Sequence, residues 1–70
     1  MRLDADTIAK AASAALHVFG RQHPLTIALY MAIADPDDLD DVHAALGNLS
    51  REHHKMFAAA FYNEMMPGRR

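Results

Sequence analysis

Apolar residues recur at three- and four-residue spacing in four separate stretches, and each stretch is bracketed by residues that start or stop helices. In the first stretch Ile8, Ala12, Ala15, Leu16 and Phe19 form one stripe. Asp4 or Asp6 can cap its N-terminus, and Gly20 suits the positive φ of a C-terminal cap. Arg21, Gln22 and His23 bridge to Pro24, whose fixed φ and missing N–H fit the first turn of a second helix through Leu25, Ile27, Leu29, Tyr30, Met31 and Ile33. A third start is expected at Asp35, with Pro36 at the first helical position. Asp37 and Asp38 then meet the positive end of the helix dipole, and Ala34 staples onto Leu39. Leu39, Val42, Leu46 and Leu49 follow at 3-4-3 spacing, the seam of a helix packing along one line, until Gly47 and Asn48 stop it. Ser50 caps a fourth helix that carries Met56, Phe57, Ala60, Phe61 and Met65 up to Pro67 and Gly68.

No strand alternation and no internal repeat interrupts this pattern. It predicts an all-α fold, a compact bundle of four short helices at about 5–19, 24–34, 36–46 and 51–66. Residues 1–70 form a single helical domain, with a frayed tail over 67–70.

The second and fourth helices carry more apolar surface than one small core requires. Between Leu25 and Ala34 only Thr26 and the Tyr30 hydroxyl are polar, so the second helix is apolar nearly all round. On the fourth, Phe57, Phe61 and Met65 make one stripe, Met56, Tyr62 and Met66 flank it, and Ala58 to Ala60 permit close backbone approach. Two readings follow. The second helix is the central core helix of a monomer, or Tyr30, Met31, Met56, Phe57, Phe61, Tyr62 and Met65 belong to a protein interface. Met and aromatic side chains are enriched at such faces, and a homodimer covers one patch with its own copy.

Composition sharpens this picture. Of 36 apolar residues 14 are Ala, so the chain is rich in apolar positions but poor in apolar volume. A 70-residue chain is marginal without a staple, and the absence of Cys removes disulfides and thiolate metal sites. The main apolar segments, Ala11 to Gly20 and Pro24 to Ala34, fall well short of the ~20 residues that span a bilayer, so no membrane partner is expected. Asp4, Asp6 and Lys10 interrupt any secretory leader, which points to a cytoplasmic setting. A net charge of −2 exerts no global pull on nucleic acid.

Candidate chemistry is sparse. His53 and His54 are adjacent, so on a helix they point about 100° apart and cannot chelate one ion together. His17, His23 and His43 are scattered, and no metal or other cofactor is expected. Five of the nine acids crowd into Asp35 to Asp41, but Leu39, Asp40 and Leu46 occupy positions where a calcium loop needs an oxygen ligand, a Gly and a Glu. Asp37, Asp38, Asp40 and Asp41 read instead as a solvated acidic face, with contact to a basic partner, including imitation of nucleic-acid phosphates, as the functional alternative. Val42 to Arg51 resembles the inner part of a helix-turn-helix, with one residue too many in the turn. That likeness makes Arg51, His54 and Lys55 the alternative DNA contacts. No catalytic residue is expected: there is no Cys nucleophile, Gly-rich phosphate loop or G-x-S-x-G turn, and Glu52 and Glu64 lie ~18 Å apart along one helix. The expected function is therefore a non-enzymatic protein-interaction module that self-associates, as an adaptor, an inhibitor or a small mobile-element accessory protein. A DNA-associated regulator and a competitor for a nucleic-acid-binding partner are the alternatives.

Overall fold

All four apolar stretches are helical, and their packing order follows from side-chain size. The computed structural model describes residues 4–66, in which α1 (Ala5–Phe19), α2 (Pro24–Ala34), α3 (Asp40–Gly47) and α4 (Arg51–Met65) follow one another. No strand occurs among the described residues. The expected tail over 67–70, with Pro67 and Gly68, lies outside them. The radius of gyration, 11.3 Å, matches the ~11 Å of a compact chain this long.

The Ala-rich helix α1 lies between α2 and α4. α1 packs against α2 and α4, α3 packs against α2, and neither α2 with α4 nor α3 with α4 makes a comparable contact. Ile8, Ala11, Ala12, Ala14 and Ala15 are all buried, and their short side chains let two helices approach one axis closely. α2 likewise has two neighbours, α1 and α3, so the two Ala- and Leu-bearing inner helices of the row α3–α2–α1–α4 are each packed on two sides.

Local caps fix the ends of α1. The Asp4 carboxylate accepts the Thr7 N–H at 2.8 Å, which favours the ionised form and holds this carboxyl below its ordinary range. At the other end Gly20 adopts φ 89° and ψ 168°, a region essentially confined to glycine, and donates its N–H to the Leu16 carbonyl. Gly47, in the last turn of α3, has ordinary backbone geometry, and open space lies around the position a Cβ would take. Gly20→Ala is thus expected to lower stability by ~1–3 kcal/mol through backbone strain alone. Gly47→Ala is expected to raise it by ~0.4–1 kcal/mol through loss of unfolded-state freedom. Urea unfolding of both variants checks the opposite signs.

α2 starts at Pro24, as its ring predicts, and His23 is the cap: its Nδ1 accepts the Leu25 N–H at 3.1 Å. Leu25, Thr26, Ala28, Leu29 and Ala32 are buried. Among them the Thr26 hydroxyl is fully enclosed and has no hydrogen-bond partner. Burying a hydroxyl unpaired costs ~1–3 kcal/mol, so Thr26→Val, close to it in shape, is expected to raise the urea midpoint. A drop in midpoint would mean that the hydroxyl is paired.

α3 departs from expectation by a full turn. It begins at Asp40 rather than Pro36, and Asp35 is the C-cap of α2. Asp38 donates its N–H to the Asp35 carbonyl at 3.1 Å, so Asp35-Pro36-Asp37-Asp38 is a β-turn with Pro at its second position. The turn makes its own local hydrogen bonds, Asp38 Oδ1 also accepting the Asp40 N–H at 3.4 Å, and a helix starting at Pro36 would set Asp37 against Asp40 and Asp41, and Asp38 against Asp41, at i,i+3 and i,i+4. Leu39 becomes a cap with no side-chain hydrogen bond, partly buried against the core.

α4 opens where Ser50 predicts, its hydroxyl accepting the His53 N–H at 3.2 Å. Phe57 is buried, and Ala60 and Phe61 pack beside it. Ser13 donates to Glu64 Oε2 at 3.2 Å, while Phe19 lies near His53, so α4 runs antiparallel to α1.

Candidate functional site

α2 has two apolar faces, and its neighbours cover only one. Leu25, Leu29 and Ala32 turn inward, whereas Ile27, Tyr30 and Met31 are 47, 46 and 64 % exposed. These three positions, with exposed Ala34, follow i, i+3, i+4 and i+7 spacing and make one outward stripe. Beside it, between α2 and α3, runs an open groove of about 420 Å³ lined by Pro24, Ile27, Ala28, Met31, Asp41, Ala44, Ala45 and Asn48. Its wall on α3 is built from small side chains, and Asp41 puts a carboxylate at one end. Asp37, Asp38 and Asp40 are also exposed near that end of α3.

The fourth helix divides its apolar residues differently. Phe57 is only 9 % exposed and Phe61 is half-buried against the core, so both are taken up within the chain. Met56, Tyr62 and Met65 remain exposed, Tyr62 most of all. Because α1 lies between α2 and α4, the residues expected on one face occur as two separate patches. Ile27 was missing from the expected set, although its spacing from Tyr30 and Met31 places it on their stripe.

A second cluster gathers where helix ends meet. Phe19 stacks on His23 with ring centres 4.3 Å apart, takes the edge of His53 at 5.3 Å, and lies 6.5 Å from Phe57, which stacks on Phe61 at 5.8 Å. A cavity of about 210 Å³ beside it is lined by His23, Pro24, Ala45, Asn48, Leu49 and His53. Two imidazoles here hold the caps and corners of the bundle together. Among the described residues no group of three or more His, Asp or Glu is placed to hold a metal ion.

Arg51, His54 and Lys55 are all exposed at the start of α4, and Glu52 shares a shallow depression with Arg51 and Lys55. A helix-turn-helix needs its two helices packed together, but α4 rests on α1. No described helix is long and apolar enough to cross a membrane. Comparison with protein-family models, with curated proteins and with solved structures finds no match to this chain.

Proposed function

We propose that this protein is a non-enzymatic interaction module that self-associates, with the outer face of α2 as its principal contact. The observation that carries this reading is the exposed stripe of Ile27, Tyr30 and Met31 on a helix whose other face is already buried. Folding within one chain leaves that apolar surface in water, and burying it against a partner recovers ~25 cal/mol for each Å² covered. Met31 brings a flexible thioether and Tyr30 an amphipathic ring, side chains that adapt to a partner and are enriched at interfaces. A second copy is the simplest cover, since one face then serves both sides. The acidic start of α3 gives the contact a preference for basic groups, which sets specificity and encounter rate more than affinity.

The test is association in solution and its loss when charge is placed on the stripe. A chain that stays monomeric at every concentration contradicts the reading.

A further inference from the structure

The groove between α2 and α3 matches a surface elsewhere on the same chain. Because the α2–α3 turn reverses the chain, Met31 and Asp41 stand at one end of the groove, and Pro24 and Asn48 at the other. Asp41 and Asn48 are seven residues apart on or beside α3, about 10.5 Å at ~1.5 Å per residue. On α4, Arg51, Lys55, Ala58, Ala59 and Tyr62 are all exposed, and at ~100° per residue they fall within an arc of about 100°. Lys55 and Tyr62 are also seven residues apart. Level with Asp41, Lys55 brings Tyr62 beside Asn48 and sets Ala58 and Ala59 against Ala44 and Ala45. Charge then meets opposite charge, small residues meet small residues so that the helices approach closely, and a phenol meets an amide. Neither Asp41 nor Lys55 has an ion pair within the chain among the described residues.

We infer that the α2–α3 groove receives the outer face of α4 from a second copy of this chain, a proposal that rests on the self-association reading above. In a two-fold dimer each α4 fills the other's groove, giving two Lys55–Asp41 pairs. A standard interface buries ~800 Å² per partner, about a sixth of the 5050 Å² surface of this chain. Each copy would contribute both a groove and a helix toward that area.

Charge reversal tests the pairing. Lys55→Glu and Asp41→Lys each set two like-charge pairs into the homodimer, and each is expected to raise the dissociation constant roughly tenfold or more. An equimolar mixture restores opposite charge at both contacts, so native mass spectrometry is expected to find the mixed dimer in excess over either homodimer. Circular dichroism controls for folding. If Asp41→Lys unwinds α3, Asp41→Asn, which keeps the shape and removes the charge, takes its place: its mixture with Lys55→Glu keeps one opposite-charge pair and has no like-charge pair. A mixture that pairs no better than its components overturns the inference, and so do single variants that dimerise like the parent. Either result in a protein that still dimerises leaves self-association intact, whereas another protein's basic helix seated in the groove overturns the inference. A parent protein that is monomeric throughout removes both.

Discussion

Leu25→Ala is expected to leave a large share of the chain unfolded at 25 °C, while Leu16→Ala changes stability by less than about 1 kcal/mol. The two residues are chemically identical and differ in where the fold puts them. Leu25 is fully buried on the inner face of α2, and Leu16 is 40 % exposed on α1. Removing a buried Leu side chain costs ~2–5 kcal/mol, through lost transfer energy and the cavity left behind. A domain of this size rarely has more than ~3–5 kcal/mol to lose. The vulnerability comes from composition: with Ala at four of the buried α1 positions, few large side chains remain to carry the core, and Ile8, Leu25, Leu29, Val42 and Phe57 must do so. Urea titration followed by circular dichroism separates the two variants, and equal losses would contradict the assignment of Leu25 to the core.

Ile27→Lys together with Met31→Lys is expected to abolish self-association and leave the helices intact. Both side chains are about half or more exposed in the single chain, so the new ammonium groups stay in water when the protein is alone. Position 31 also falls in the last turn of α2, where positive charge meets the negative end of the helix dipole, and beside Asp41 in the groove. In a dimer that covers the stripe the ammonium at position 27 would be buried without a partner and the one at position 31 would displace apolar contact, together costing several kcal/mol. The dissociation constant should therefore rise at least a hundredfold, or ~2.7 kcal/mol. A variant that loses helicity instead would place Ile27 or Met31 in the core.

Three of the four helices were legible because single residues punctuate them. Asp4, Gly20, Pro24 and Ser50 act through local backbone geometry and hydrogen bonds, which neighbours in sequence fully specify. The start of α3 was not, because Asp-Pro serves equally as a helix opening and as a β-turn, and here the turn is closed by the Asp38 N–H on the Asp35 carbonyl and by the Asp40 N–H on Asp38 Oδ1. Periodicity also says that α2 is apolar all round without saying which neighbours it has. That α4 packs on α1 and not on α2 is a decision among helices far apart in sequence. It removes Phe57 from the surface and leaves Ile27 on it, two residues whose apolar character alone pointed the other way. The meeting of His23 and His53 on Phe19 is likewise a tertiary event, since three helix ends supply it.

Sedimentation equilibrium of the unaltered chain from micromolar to millimolar concentration, run beside the Ile27→Lys/Met31→Lys variant, tests the central claim most directly. The expected result is a mass that climbs with concentration toward twice the 7.7 kDa of one chain, while the variant stays at one chain mass. A parent protein that remains at 7.7 kDa throughout, or a variant that associates as the parent does, contradicts the assignment of the α2 face as a contact between copies.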